Sequence, residues 1–299
     1  MTKCESRKQR SNWPAIQRSR NMSIMIEILL ANLIIKRQMS QSSIKRLTIK
    51  SKSLNKDMPV WVYLPYNYND SKEYFPCLYF LHGRSGNETI LTETDLNVTA
   101  DKLISQHKIK PMIIVCPDLE NSRGINSALE CKEVKDSYGR TINLGLYEDY
   151  FIKEVIPQIE TQFRIIHDRK ARCVGGASAG GYAALHLAFR HPELFYKVGG
   201  HMPAIELKLE EEDKAYFPNP DDWSKYNPIQ IIKNVTRTDF RIYLDAGNKD
   251  EGKFYQGCAI LHKILEEKGI SSENHVFEGH HNIEYIKSNI EKYLIFYGS

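Results

Sequence analysis

A pattern of the form Gly-x-Ser-x-Gly, centred on Ser178, constrains the fold of this chain more than any other feature. Two apolar residues, Cys173 and Val174, precede it, and a helix-forming run at 183–189 follows it. A serine that projects from the end of a sheet needs strained dihedrals, and the chain on either side of it must pass very close. Its small neighbours allow this approach: Gly176, Ala177, Ala179, Gly180 and Gly181. A chance match in a glycine-rich loop is the alternative, but the flanking runs favour a strand, a sharp turn and a helix, the context of a nucleophile elbow.

The rest of the chain alternates between strand-like and helix-like segments. Residues 43–64 predict a leading antiparallel hairpin, and the apolar runs 76–81 and 112–116 predict strands buried on both faces. Further strands are expected at 240–244 and 275–277, and helices at 90–106, at 151–163 with a bend at Pro157, at 254–265 and at 283–294. This alternation predicts the α/β class, with a doubly wound, mostly parallel sheet and helices on both faces. Together with the nucleophile elbow it favours an α/β-hydrolase fold. The connections 119–146 and 201–234 read as long irregular loops.

The first 38 residues differ from the remainder. A basic head precedes an apolar run at 22–35, which Glu27 and Asn32 interrupt and which is too short to span a bilayer. We therefore expect 1–38 to be a disordered or dispensable extension and 39–299 to be one catalytic domain. Export or membrane association is the alternative, because a signal peptide also begins with a basic head and an apolar run.

Composition narrows the possible partners. The net charge is +4, with much of the excess in the first forty residues, so nothing favours a nucleic-acid partner.

The six cysteines have no C-x-x-C pair and suggest free thiols in a reducing compartment, hence a cytoplasmic protein. No histidine or carboxylate spacing indicates a metal, and the acidic run 210–213 reads as a solvated face. No cofactor is expected, a membrane association is disfavoured, and the oligomeric state, including a homo-oligomer, stays open.

A serine hydroxyl becomes a nucleophile when a histidine takes its proton and an acid orients that histidine. In parallel α/β sheets such groups gather at the carboxyl ends of the strands. Asp250 lies in the loop after one predicted strand, and His281 follows the next. The sequence therefore predicts a triad of Ser178, Asp250 and His281, in the chain order of α/β hydrolases.

Both partners of the serine have rivals. Asp245 lies at the strand end itself and is expected to hold the loop by local hydrogen bonds, while Glu251 adjoins Asp250. His280 adjoins His281, and only one of two neighbouring histidines is expected to face the serine. Structural roles are expected for three further histidines: His186, His191 and His262.

The reaction of such a serine creates an oxyanion, which needs hydrogen-bond donors placed in advance. The backbone N–H of Ala179, directly after the serine, is one candidate. The second is the N–H of Arg84, because Gly83 before it lets the backbone approach the site closely. An ordinary glycine turn is the alternative for His82–Gly86.

Together these segments resemble the putative-esterase (esterase D-like) family of α/β hydrolases across residues 44–297. The resemblance rests on Leu78–Gly83, Tyr150–Glu160, Gly176–Leu185, His191–Phe195, Gly247 with Asp250, and Gly279 with His281. It implies the same nucleophile, acid and base, and a cofactor-independent esterase. Arg84 and Ala179 stand where relatives often carry other residues, so the resemblance does not specify the shape of the acyl pocket.

We therefore expect a serine carboxylesterase that hydrolyses esters of small or aromatic acyl groups, with a small-molecule ester as its partner. The alternatives are an acyltransferase, a siderophore or thioester hydrolase of the same fold, and an inactive binding module. The two long connections are expected to roof the site with aromatic residues, although such residues are as often packing groups: Tyr138, Tyr216, Phe217 and Trp223.

The extension generates one test. Deleting residues 1–38 is expected to leave the ester-hydrolysis rate and the yield of soluble protein unchanged, because no predicted site residue lies there. Purification of both forms and side-by-side assays check this. A truncated protein that aggregates or loses activity would show that the segment belongs to the folded enzyme.

Overall fold

The computed structural model describes residues 41–299, so the extension predicted at 1–38 lies outside the described residues. The strands of the described part are β1 (Ser43–Ser51), β2 (Lys56–Leu64), β3 (Cys77–Leu81), β4 (Ile113–Pro117), β5 (Lys132–Lys135), β6 (Thr141–Leu144), β7 (Arg172–Ala177), β8 (Lys197–His201), β9 (Arg241–Gly247) and β10 (Ser271–Phe277).

Eight of these strands form one sheet in the order β1-β2-β4-β3-β7-β8-β9-β10. The strands β1 and β2 pair antiparallel as the predicted hairpin, and β2 also pairs antiparallel with β4. All the other neighbours in this sheet are parallel. The apolar runs of β3 and β4 are buried along their whole length, as expected for strands covered on both faces.

Helices cover the sheet on both sides. They are α1 (Ile90–Glu93), α2 (Leu96–Ser105), α3 (Tyr147–Asp149), α4 (Ile156–Gln162), α5 (Ala179–Arg190), α6 (Pro220–Tyr226), α7 (Pro228–Asn234), α8 (Tyr255–Glu267) and α9 (Ile283–Gly298). The helices α2 and α9 pack against each other, while α5, α7 and α8 form a second packed group. The predicted fold class, an α/β-hydrolase fold with a mostly parallel sheet and a leading hairpin, is confirmed.

The two connections that the sequence predicts to be irregular loops contain regular structure. Residues 119–146 include the antiparallel pair β5 and β6, hereafter the cap hairpin. Residues 201–234 include the helices α6 and α7, each with a proline in its first turn and an asparagine cap. These short elements lack enough apolar periodicity to be predicted from sequence. Their shared apolar cluster stabilises them through tertiary contacts: Ile125, Ile142, Leu144, Tyr182, Ala204, Tyr216, Phe217 and Trp223.

The helix predicted over 151–163 is irregular next to its proline. A π-helical turn, Tyr150–Val155, precedes Pro157, and the following α-helix begins at Ile156. Val155, just before this α-helix, has φ −62° and ψ −57°, so the backbone stays helical and Pro157 lies inside a continuous helix. The irregularity lies upstream of the proline, in the π-helical turn.

A tyrosine from the last helix lies directly over two glycines of the sheet. Gly175 of β7 and Gly199 of β8 are register partners. A Cβ atom on either glycine would lie only 1.8 Å from the Tyr297 hydroxyl oxygen. The ring is buried, and its hydroxyl lies 2.9 Å from His201 Nε2. These glycines are thus required by a close approach between α9 and the sheet, which explains why β8 carries no apolar strand signal.

This contact predicts the cost of a single methyl group. The variant Gly199→Ala is expected to lose about 2 kcal/mol of unfolding free energy, because overpacking a rigid core forces neighbours apart. Urea denaturation measures the loss. In a Tyr297→Leu background the same alanine should cost clearly less, since the ring is gone. An equal cost in both backgrounds would contradict this account.

Candidate active site

Ser178 lies at the turn between β7 and α5 and adopts the strained backbone expected of an elbow. Its φ and ψ are 55° and −116°, in a backbone region that residues other than glycine rarely occupy. The close passage of the chain leaves no room for larger neighbours: a Cβ atom on Gly180 would lie 2.3 Å from the Leu81 carbonyl oxygen. The Ser178 N–H donates to the His201 carbonyl at 2.9 Å, which fixes the turn to β8.

The structure brings the three predicted side chains together. His281 Nε2 lies 2.8 Å from Ser178 Oγ, and His281 Nδ1 lies 2.9 Å from Asp250 Oδ2. An ionised carboxylate only accepts, so the proton belongs on Nδ1 and Nε2 is free to accept from the serine. Asp250 is 3% exposed, and its other oxygen accepts the Gly252 N–H at 2.8 Å.

The rival residues have other partners. Asp245 is fully buried and accepts from the hydroxyls of Tyr285 and Tyr293, both at 2.7 Å, so it joins α9 to the sheet rather than holding its own loop. Glu251 lies outside the triad and accepts from His280 Nδ1 at 2.8 Å and from the His281 backbone N–H at 3.1 Å.

The pair of Glu251 and His280 shapes the electrostatics of the outer loop. Hydrogen bonds from His280 and the His281 backbone lower the pKa of the Glu251 carboxyl to about 2. Glu251 therefore stays ionised across the neutral range and ties the histidine loop to the acid loop. Glu251 belongs to a neighbouring pair and not to the predicted triad.

The loops that carry the acid and the histidine are hydrogen-bonded to each other along their backbones. The Asn248 N–H donates to the Phe277 carbonyl at 2.8 Å, and the Lys249 N–H donates to the Gly279 carbonyl at 2.9 Å. These bonds extend the parallel pairing of β9 and β10 beyond the strands. The two strand ends therefore position Asp250 and His281 as one unit.

The three histidines expected to be structural have partners away from the triad. His186 and His191 lie 3.2 and 2.8 Å from the buried carboxylate of Glu148. His262 Nδ1 lies 2.8 Å from the Ser272 hydroxyl.

The loop predicted to carry the second oxyanion donor lies against Ser178. A Cβ atom on Gly83 would lie 3.2 Å from Ser178 Cβ, so only glycine lets the backbone come this near without a shift. The Leu119 N–H donates to His82 Nε2 at 2.9 Å, which leaves the ring proton on Nδ1. Nδ1 in turn donates to the Gly83 carbonyl at 2.8 Å.

A cavity of about 530 Å³ lies around these residues, and both apolar and charged side chains line it. The apolar lining residues, hereafter the apolar wall, include Ile90, Met202, Phe254, Ile283 and Ile286. The charged lining residues that ion pairs connect, hereafter the charged wall, include Arg84, Arg123, Arg140, Glu206 and Glu212. The Phe254 ring packs edge-on against the His281 ring, 5.1 Å between centroids. Sequence reasoning missed Phe254 as a site residue, because an aromatic at the start of a helix looks like an ordinary core residue.

None of the four aromatic residues expected to roof the site lines this cavity. Phe217, Tyr216 and Trp223 are buried in the cluster beneath the cap hairpin and do not line this cavity. Tyr138 is 69% exposed and packs against the Arg140 guanidinium instead. The three buried aromatic residues therefore pack beneath the cap hairpin, the packing role that was the alternative for this set.

Comparison with known proteins identifies the family. The chain matches the family described as Putative esterase over residues 51–297. It belongs to this family. Over 240 residues it is 30% identical to an endo-1,4-beta-xylanase/feruloyl esterase of Xylanibacter ruminicola, a match that covers 77% of this chain. The match spans only 30% of that longer relative.

Solved structures agree with the fold. A ferulic acid esterase superposes with a TM-score of 0.74 at 21% identity, covering 87% of this chain and 98% of the other. An S-formylglutathione hydrolase of Agrobacterium tumefaciens gives 0.69 at 16% identity, covering 86% and 95%. The predicted family is thus confirmed. Across residues 41–299, every helix is too short or too polar to serve as a membrane span.

In this member of the Putative esterase family, an ion cluster underlies the charged wall. The buried Arg123 guanidinium donates to Asp213 at 2.7 and 2.8 Å and to Glu206 at 2.8 and 3.2 Å. Asp213 is fully buried, so the interpretation of 210–213 as a solvated face is wrong at this position. The reason is long-range pairing with an arginine 90 residues away, which sequence spacing does not reveal.

The same carboxylates resemble a cation site. Oxygens of Glu206, Glu212 and Asp213 lie within 4.8 Å of one another. Arg123 bonds two of them and supplies the positive charge that a metal ion would bring. With one guanidinium shared by two buried carboxylates, burial raises the pKa of Asp213 to about 6, against the attraction of Arg123.

The raised pKa of Asp213 predicts how the unfolding free energy changes with pH. The ordinary pKa of Asp213 is 3.8 and the folded value is about 6, so between them the folded state binds more protons than the unfolded state. The unfolding free energy of the wild type, minus that of Asp213→Asn, should fall by on the order of 2 kcal/mol as pH rises from about 4 to about 6. Urea titrations of both proteins at several pH values measure it. A difference that rises over this range would contradict the shift.

Proposed function

We propose that this chain is a serine carboxylesterase whose nucleophile, base and acid are Ser178, His281 and Asp250. The observation that carries the proposal is the continuous chain of contacts from the serine through the histidine to a buried carboxylate, at 2.8 and 2.9 Å. Ser178 and His281 line a cavity, beside a backbone loop suited to bind an oxyanion.

In the first half of the reaction, Ser178 Oγ attacks the ester carbonyl carbon while His281 Nε2 takes the hydroxyl proton. The carbonyl oxygen becomes an oxyanion, which accepts from the backbone N–H groups of Ala179 and Arg84. Asp250 stabilises the imidazolium. The proton then passes from His281 to the alkoxide of the leaving alcohol, the C–O bond breaks, and an acyl-enzyme remains.

In the second half, a water molecule gives its proton to His281 Nε2 and attacks the acyl carbon. A second oxyanion forms at the same two N–H groups and collapses, returning the proton to Ser178 and releasing the acid. No step needs a redox or metal cofactor. Hydrolysis rather than transfer to an alcohol is our proposal, and competition between an added alcohol and water separates the two.

The two walls of the cavity suggest where each half of the substrate lies. The apolar wall with Phe254 suits a small or aromatic acyl group, and the charged wall suits a hydroxyl-rich alcohol that exchanges hydrogen bonds with arginines and carboxylates. The relatives named feruloyl or ferulic acid esterases are consistent with an aromatic acyl group.

Short p-nitrophenyl esters test the proposal. The variant Ser178→Ala should lose activity on the order of 10⁶-fold and Asp250→Asn about 10⁴-fold, because the triad acts as a unit. His280→Ala is the matched control. It removes the adjacent imidazole, which faces Glu251 instead of the serine, and should stay within a few-fold of wild type. Unchanged hydrolysis by Ser178→Ala would refute the assignment.

A further inference from the structure

The conformation of the loop at residues 82–86 decides whether one of the proposed oxyanion donors faces the nucleophile. In a trans peptide the carbonyl and the N–H point in opposite directions. The Gly83 carbonyl accepts from His82 Nδ1 at 2.8 Å and from the Gly86 N–H at 3.1 Å. These two bonds hold the Gly83 carbonyl and so fix the opposite direction for the Arg84 N–H.

The next peptide of this loop is held by a residue that lies far away in the sequence. The Ser85 N–H donates to the side-chain oxygen of Asn121 at 2.7 Å. Ser85 has a φ of 62°, in the left-handed region that an L-residue avoids unless its surroundings hold it there. Both peptides that flank the Arg84 Cα are therefore fixed, one by His82 and the other by Asn121.

Asn121 is itself anchored in the cap hairpin and its neighbourhood. Its side-chain NH₂ donates to the Thr141 carbonyl at 3.0 Å, and its backbone N–H donates to Asn143 Oδ1 at 3.2 Å. The Asn143 N–H and the Tyr216 hydroxyl donate to its carbonyl. The Asn121 side chain thus connects the loop at 82–86 to the cap hairpin. Every polar group of Asn121 makes a hydrogen bond.

A second long-range contact of this loop, to the connection 201–234, is weaker. The Arg84 guanidinium lies 3.4 Å from Asp213 Oδ1 and 3.4 Å from Glu212 Oε2, at the long limit of a hydrogen bond or ion pair. The 2.7 Å bond of Asn121 is made to the backbone itself. It therefore controls the orientation of the Arg84–Ser85 peptide, next to the peptide that carries the Arg84 N–H, more directly than a contact at the end of a long side chain.

We propose that Asn121 is a positioning residue for the oxyanion donor at Arg84, and that the cap hairpin sets this half of the oxyanion hole through it. The inference rests on the proposed serine-esterase function. Asn121 acts through the loop and need not touch the substrate.

The first test is the variant Asn121→Ala, assayed on p-nitrophenyl acetate and on the matching thionoester. We expect kcat on the oxoester to fall about 10-fold with KM within about two-fold, because the donor is misplaced mainly against the transition state. Sulfur accepts hydrogen bonds poorly, so the thionoester rate should fall less. The ratio of oxoester to thionoester rates should therefore shrink by several-fold.

A second variant separates loop positioning from general damage. Glycine adopts positive φ freely, so Ser85→Gly in the Asn121→Ala background should recover part of the lost kcat and of the lost rate ratio. Asn121→Asp keeps an acceptor for the Ser85 N–H but loses the donor to Thr141, and should lie between the wild type and Asn121→Ala.

The matched control is Asn126→Ala, another asparagine of the same connection, which pairs with Asp149 and not with the loop. It should leave the oxoester-to-thionoester ratio at the wild-type value. Thermal melts of all variants show which are folded at the assay temperature. A folded Asn121→Ala with the wild-type ratio would overturn the inference, whether or not kcat falls.

The wild type and Ser178→Ala are assayed in the same series. An inactive wild type, or an active Ser178→Ala, is a failure of the proposed function rather than of the positioning role. An active wild type with an inactive Ser178→Ala and an unchanged rate ratio in Asn121→Ala is a failure of the positioning role alone.

Discussion

The contact between Ser178 Oγ and His281 Nε2 joins two segments 103 residues apart, and the arrangement of the whole sheet serves to make it. The serine comes from the central strand β7 and the histidine from the loop after the edge strand β10. Two strands, β8 and β9, lie between them. Because all four run parallel, their carboxyl ends meet at one edge, and side chains distant in sequence converge there.

Each side of this contact is held by a different kind of interaction. On the serine side, close backbone packing leaves space only for glycine, so the elbow is fixed by steric exclusion. On the histidine side, backbone hydrogen bonds between the two loops and the buried Asp250 fix the imidazole. The buried network of Asp245 with Tyr285 and Tyr293 then holds α9, which begins directly after this loop.

Local patterns were enough to predict which three side chains the sheet brings together. Ser178 was predictable because its elbow needs small residues at fixed spacing, and Asp250 and His281 because they follow apolar strands. The partnership of Arg123 with Glu206 and Asp213 was not, since attraction between buried charges depends on distance in space and leaves no periodic trace in the sequence. The strand β8 was missed for a related reason. Its glycines leave space for the ring of Tyr297, a residue almost a hundred positions later in the chain.

The most direct test of the central claim is the rate at which a fluorophosphonate labels Ser178, measured by peptide mass spectrometry in wild type and in His281→Ala. Such a probe reacts with a serine that a neighbouring base activates. This account predicts rapid labelling at Ser178 in the wild type and labelling slower by several orders of magnitude in the variant. Labelling at a different serine, or an equal rate in both proteins, would contradict it.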